Sequence, residues 1–188
     1  AEFDRVVAET GVRTHPAGGL VCRKGEPVDH WVGVVDGLVK MANVSVEGKP
    51  MSFTGIGTGG WFGEGSLLKD EPRRYDIVAL RESQIAYMPR ATFARLLDTN
   101  FAFNRFLIVQ LNERLGQFIA MIEHGRLLGP EARLARVLAG LFNPVLYPGI
   151  GSSLPVSQEE LGQLVGLSRQ RVNQAHKRLE ADGLVRVE

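Results

Sequence analysis

The feature that most constrains this chain is a change of rhythm near Ala91. Upstream, from about Arg13 to Tyr87, short apolar stretches are punctuated every few residues by glycine or proline, as in HPAGGLVCRKGEPVDHWVGVVDGLVKMANVSVEGKPMSFTGIGTGGWF. Downstream, apolar residues recur at intervals of three and four. The first pattern belongs to strands and tight turns, the second to amphipathic helices. Their succession predicts an α+β chain.

The segments HWVGVV, LVKMANVSV, MSFTGI and YDIVAL are rich in valine and aromatic residues, and their spacing predicts a compact antiparallel β-barrel or jelly roll. After it come ATFARLLDT and the longer FAFNRFLIVQLNERLGQFIAMIEHGRLL. In the latter, Ile108, Leu111, Leu115, Phe118 and Ile122 follow at spacings of 3, 4, 3 and 4, the seam of a two-stranded coiled coil. A homodimer joined along this helix is expected. The alternative is an amphipathic helix buried wholly against its own domain, with Phe106, Leu107, Val109 and Met121 packing on the barrel. Gly129 and Pro130 end that helix, and PEARLARVLAGLF restarts with proline in a first turn and Leu134, Val137, Leu138 and Leu141 on one side. The loop NPVLYPGIGSSLP follows. The expected organisation is a β-roll domain over 1–99, a long dimerisation helix over 100–128 and a third unit over 129–188.

Composition narrows the function. With 22 basic and 21 acidic residues, the net charge of +1 excludes a chain-wide basic field, so any nucleic-acid contact must be local. The single cysteine, Cys22, excludes an intrachain disulfide and the four-thiolate set of an iron–sulfur cluster. No apolar run reaches the length of a membrane span and the amino terminus lacks the order of a signal peptide, so a cytoplasmic protein is expected.

Positive charge concentrates near the carboxy terminus. In PVSQEELGQLVGLSRQRVNQAHKRLEADGLVRVE, Ser157 and Glu160 form the S-x-x-E pattern of a capping box, and Leu161, Leu164 and Val165 give the helix it opens an apolar face. Gly166 can take positive φ, and Ser168 can cap a second helix almost at once, which predicts a helix-turn-helix. At about 100° per residue the second helix turns Val172, Ala175 and Leu179 inward. Gln170, Asn173, Gln174 and Lys177 lie opposite, flanked by Arg169 on one edge and by Arg171 and Arg178 on the other. Ser168 to Leu179 holds four Arg or Lys and no Asp or Glu. Such a face fits the major groove of double-stranded DNA, where arginine donates twice to guanine and glutamine or asparagine pairs twice with adenine. A merely solvated helix would need neither the cap, the glycine turn nor the absence of acids.

The run ELGQLVGLSRQRVNQAHKRLE resembles the DNA-binding motif of the Crp/Fnr family of bacterial transcription regulators. The resemblance implies that Arg169, after the capping serine, reads guanine. Gln170 stands where the family commonly has glutamate, and Gln174 where an arginine is often found. GLVRVE looks like the first strand of the family's wing hairpin. The resemblance further implies RNA polymerase as a partner and an inverted-repeat operator.

The stretch GGWFGEGSLLKDEPRRYDIVAL looks like the phosphate-binding cassette of the same family's cyclic-nucleotide-binding barrel. The resemblance implies that Gly63 lets the backbone approach a cyclic phosphate, that Glu64 accepts a ribose hydroxyl and that Arg74, ten residues on, neutralises the phosphate. Tyr75 replaces the usual small hydroxyl residue and Asp76 follows it. Phe118 and Ile119 stand where nucleotide-binding members place hydroxyls against adenine. The effector is therefore open between cyclic AMP, another small effector and none, in which last case Glu64 and Arg74 would simply pair with each other. An iron–sulfur sensor would need more cysteines. Haem ligation has candidates only by residue type in His15, His30, His124, His176, Cys22 and the methionines, none of them in a motif. A regulator rather than an enzyme is expected, with no catalytic or metal residue assigned. Two alternatives are a cupin-like metal-dependent barrel enzyme and a ligand-binding protein whose helix-turn-helix mediates protein contacts only.

Overall fold

The computed structural model describes residues 2–44, 50–125 and 129–186. A short helix α1 (Glu2–Glu9) leads into strands β1 (Gly11–His15), β2 (Leu20–Cys22), β3 (His30–Asp36), β4 (Leu38–Val44), β5 (Pro50–Gly57) and β6 (Trp61–Phe62). Helix α2 (Glu64–Lys69) separates these from β7 (Asp76–Ala79) and β8 (Ser83–Pro89). Helices α3 (Arg90–Thr99), α4 (Phe101–Gly125), α5 (Pro130–Leu141), α6 (Gln158–Val165) and α7 (Arg169–Ala181) complete the chain.

The strands form two four-stranded antiparallel sheets, ordered β1-β8-β3-β6 and β2-β7-β4-β5. They do not close into a barrel, so the jelly-roll sandwich is the architecture formed. Val32, Val34, Phe62 and Ile85 from one sheet meet Val39, Met41, Ile56 and Ile77 from the other in the main core. Strand β3 is buried from Trp31 to Val34 because its second face is covered too. Trp31 there joins Leu67 of α2, Phe93 and Leu96 of α3 and Leu107 of α4 in a second core. This explains why HWVGVV reads as a continuous apolar run rather than an alternating one.

Asn100, in extended conformation, divides α3 from α4, and its side chain accepts a hydrogen bond from the Phe103 N–H to cap the longer helix. At 1.5 Å per residue α4 runs about 37 Å. Beyond it, Leu134 and Leu138 of α5, Leu161 and Val165 of α6, and Val172, Ala175 and Leu179 of α7 form a separate core.

The last three helices sit on the β-sandwich. Gly55 of β5 approaches so closely that a Cβ there would lie 3.0 Å from Leu141 and 3.1 Å from Leu164. Lys40 Nζ donates to Gln163 Oε1 at 3.0 Å, and Ser52 Oγ donates to the Gln163 carbonyl at 2.8 Å. The loop after α5 is also anchored, since Leu146 and Tyr147 are buried in the sandwich core and the Tyr147 hydroxyl donates to the Gly55 carbonyl.

The wing strand expected in GLVRVE is not formed in its described part, Gly183 to Arg186. Among the described residues no later strand exists to pair with it, and a lone strand leaves its backbone groups without a ladder. Val187 and Glu188 lie outside the described residues. Among the described residues no helix is long and apolar enough to cross a membrane.

Candidate nucleic-acid interface and effector cassette

The helix-turn-helix is built by its caps. Ser157 Oγ accepts from the Glu160 N–H while the Glu160 carboxylate accepts from the Ser157 N–H at 2.7 Å, a complete capping box. Gly166 ends α6 at φ 69°, a left-handed conformation that a residue with a Cβ adopts only with strain. Ser168 then caps α7 by accepting from the Arg171 N–H. Val172, Ala175 and Leu179 are buried, which fixes the rotation of α7 and turns the opposite side outward.

On that side Arg169, Gln170, Arg171, Gln174 and Lys177 are exposed. Asn173 is half-buried, and its Oδ1 lies 3.4 Å from the Gln158 side-chain amide that donates to it. Arg178 is exposed but its guanidinium is engaged by Glu131 at the start of α5. The Glu131 carboxyl is held below its ordinary range by its own backbone N–H, with Arg178 and Arg171 adding to the effect. Arg178 thus braces α7 against α5, while Arg169 and Lys177 carry no such brace among the described residues.

The cassette differs from the expectation at its cation. Gly63 caps α2 at φ 89°, and Glu64 is buried with Oε1 3.6 Å from Nε of Arg114 on α4. Arg74 does not join them: its side chain is 65% exposed and pairs with Glu71. The buried cation is Arg73, whose Nη2 donates to the His30 carbonyl at 3.2 Å and whose Nη1 lies 3.0 Å from where a Cβ on Gly63 would sit. Spacing from Glu64 points to Arg74, but the arginine the structure buries beside Gly63 is Arg73, and Arg74 pairs with Glu71 rather than with Glu64. Tyr75 packs against the sandwich core, and burial together with the Glu64 charge pushes its hydroxyl up to about 12.

Four buried side-chain nitrogen or oxygen atoms lack a hydrogen-bond partner among the described residues, and three belong to this group: Glu64 Oε2, Arg73 Nη1 and Arg114 Nε. The fourth is the Trp31 indole nitrogen. Orphaned buried polar atoms are costly, so a cluster of them facing the same cassette fits a ligand that supplies an anion and a hydroxyl.

On α4, Ile108, Leu111, Leu115 and Ile122 are exposed, Ile108 by 66% and Ile122 by 74%. Phe118 does not lie with them. It packs on the sandwich core, and Ile119 takes its place on the outward stripe. The reason is rotational, because Phe118 falls nearer the side of α4 that carries buried Leu107 and Arg114 than the heptad count suggests. His15 and His30 both lie against the Tyr87 ring, His15 Nε2 within 2.8 Å of its hydroxyl. Cys22 is buried and its thiol is pushed up to about 11 by that burial. His176 is half-buried on α7, and the His124 side chain lies outside the described residues. Among the described residues no three His, Cys, Asp or Glu side chains are grouped so as to hold a metal ion.

A sandwich with a glycine-to-helix cassette, continued through one long helix into a capped helix-turn-helix, is the build of a ligand-sensing transcription regulator. The comparisons with known proteins agree: a cyclic nucleotide-binding domain model matches residues 12–100 and a Crp-like helix-turn-helix model matches residues 132–188. The chain belongs to the Crp/Fnr family of transcription regulators. It is 28% identical over 187 residues to the cAMP-activated global transcriptional regulator CRP of Haemophilus influenzae, spanning 97% of this chain and 83% of that one. It is 24% identical to the cAMP-activated global transcriptional regulator Vfr of Pseudomonas aeruginosa, over 98% of this chain and 89% of Vfr. Among solved structures it resembles the c-di-GMP-responsive global regulator CLP of Xanthomonas campestris, with a TM-score of 0.67, 26% identity and coverage of 100% and 94%. The fold is shared with FixK2 of Bradyrhizobium japonicum at a TM-score of 0.68 and 20% identity, covering 95% of this chain and 88% of FixK2.

Proposed function

We propose that this regulator acts as a homodimer that reads an inverted-repeat DNA site through the outward face of α7 and is controlled by a small effector at Glu64, Arg73 and Arg114. The observation that carries the reading is the division of α7 between a buried side pinned by Val172, Ala175 and Leu179 and an exposed side of Arg169, Gln170, Gln174 and Lys177, whose first acid, Glu180, comes only in the last turn. Arg169, at the amino-terminal end of the helix, reaches base edges, and Gln170 and Gln174 select neighbouring bases. Ser168 and Arg171 approach the phosphates, Lys177 adds charge to them, and Asn173 and Arg178 hold the helix in register. The exposed α4 stripe joins two copies, which places two reading helices about one turn of DNA apart. RNA polymerase is the partner that family membership suggests, the cytoplasm is where such a regulator meets DNA, and no enzymatic role is assigned. The cupin reading lacks support from any ligand cluster among the described residues.

CRP of H. influenzae and Vfr are cAMP-activated, and CLP is c-di-GMP-responsive. Both nucleotides carry an anionic phosphodiester and ribose oxygen atoms, the chemistry that Arg73 and Glu64 suit. We therefore read the effector as a cyclic nucleotide or a small anion of similar make.

Selection of bound fragments from random DNA, with and without cAMP, cGMP and c-di-GMP, is the direct test. A palindromic consensus is expected. On that consensus Arg169→Ala should cost about 1 to 3 kcal/mol and relax base preference, while Lys177→Ala weakens all sequences alike. Equal losses on consensus and random DNA for both variants would remove these roles, and failure to bind DNA at any salt concentration would favour a helix-turn-helix used in protein contacts.

A further inference from the structure

Between α4, α5 and β5 lies a cleft of about 480 Å³, whose lining includes Phe118 but not Glu64, Arg73 or Arg114. Its walls include Phe53 of β5, Phe118 and Met121 of α4, and Val137 of α5. That volume is within the roughly 300–1,000 Å³ range of small-molecule sites, which are likewise mostly apolar with a few polar groups.

Two helix-interior glycines open the cleft. Gly116 of α4 and Gly140 of α5 both line it. A Cβ at Gly116 would meet nothing within 4 Å, and one at Gly140 would meet only the Gln117 amide at 3.5 Å. Neither glycine has positive φ, so neither is required by the backbone. Glycine inside a helix costs about 0.5 to 1 kcal/mol relative to alanine, and here that cost keeps space between two helices.

The cleft also has a polar signature. Arg136 makes one hydrogen bond among the described residues, from Nη1 to the Ala120 carbonyl at 2.6 Å, which leaves most of its five donors unused. The acid in the lining, Glu113, is engaged by the Asn143 amide at 3.2 Å. Both groups keep their charge, each on one neutral partner, and of the two Arg136 holds the larger number of unused hydrogen-bond positions. Glu113, Gln117 and Ala120 lie about 140–200° around α4 from Leu115, so the cleft faces away from the centre of the exposed stripe.

We propose that this cleft binds a small amphipathic acid, its ring-containing apolar body against Phe53, Phe118 and Val137 and its anionic group on Arg136. Its walls come from the sensor sheet, the long helix and the first helix of the DNA-reading unit, so an occupant contacts all three and biases their relative packing. The inference does not depend on whether α7 reads DNA.

The probe is 1-anilinonaphthalene-8-sulfonate, an apolar ring system with one sulfonate, titrated into the full chain and followed by fluorescence. Its uncharged counterpart, N-phenyl-1-naphthylamine, is titrated in parallel. One saturable site per chain is expected for the sulfonate. Gly116→Leu, which fills the cleft and favours the helix, should weaken it by about tenfold or more. Arg136→Gln should weaken the sulfonate by about threefold to tenfold and leave the uncharged probe unchanged. Val12→Ser, an exposed apolar position on β1 away from the cleft and the α4 stripe, should alter neither. Undiminished sulfonate affinity in Gly116→Leu with an unchanged circular dichroism spectrum overturns the site, as does loss of binding in Val12→Ser. Should Gly116→Leu misfold, equal behaviour of the two probes in wild type and Arg136→Gln overturns the acid assignment.

Discussion

Arg73 and Arg74 carry the same side chain one position apart, and the backbone decides which of them is available to a ligand. The Gly25 N–H donates to the Arg73 carbonyl at 2.7 Å and the Arg73 N–H donates to the Glu26 carbonyl at 2.9 Å, a two-bond clamp onto the loop after β2, and the chain then bends at Tyr75 before β7 begins. Held this way, Arg73 is buried with Nη2 donating to the His30 carbonyl, while Arg74 turns outward to Glu71. We expect Arg73→Gln to abolish binding of whichever cyclic nucleotide the wild type takes up in calorimetry, and Arg74→Gln to leave affinity within about threefold, the scale of a surface charge change. The reverse result would return the role to Arg74. Counting ten residues from Glu64 selects Arg74, whereas the fold buries Arg73. The difference was not legible in the sequence, because it is set by the clamp to Gly25 and Glu26, which no local pattern contains.

Helix α4 shows the same lesson at the scale of an element. Its existence and its outward apolar stripe were legible from Ile108, Leu111, Leu115 and Ile122, but the heptad count placed Phe118 on the wrong side. Once Leu107, Gln110 and Arg114 are known to face the sandwich, Phe118 belongs with them and Ile119 with the stripe. The partner sheet sets the rotation of the helix, and no local pattern contains it. Helix α1 was not legible because its docking rests on distant partners: Thr92 and Arg95 both donate to Glu9 at 2.6 Å. Burying a leucine or isoleucine stabilises association by about 1.5 to 3 kcal/mol, so a stripe of this kind can sustain a dimer. Leu115→Asp at its centre would bring two carboxylates to one apolar seam, and the dimer dissociation constant in sedimentation should rise about 100-fold or more. An unchanged dimer would show that the copies meet elsewhere.

For the whole molecule, the question is what holds the reading unit on the sensor. Glu160 does more than complete its capping box. The Arg81 guanidinium, from the turn between β7 and β8, donates to both of its carboxylate oxygen atoms, from Nε at 2.7 Å and from Nη2 at 3.0 Å. Burial alone would raise the Glu160 pKa, but the Ser157 N–H, the Ser157 side chain and Arg81 outweigh it and hold the carboxyl below its ordinary 4.5. A carboxyl lowered in the folded state adds stability that is complete above 4.5 and disappears as pH falls through the lower folded value. The fork between Arg81 and Glu160 should therefore loosen in acid. Glutamine at 160 can still serve the capping box, so Glu160→Gln isolates the contact with Arg81. Because Arg81 is partly exposed, the loss at pH 7 should be modest, about 1 to 2 kcal/mol in denaturant unfolding. Arg81→Ala should cost a similar amount, and the double variant little more than either alone. The gap between wild type and Glu160→Gln should close as pH drops below 4.5; a gap that stays constant down to about pH 3 would mean that the charge of Glu160 is not what joins the two units.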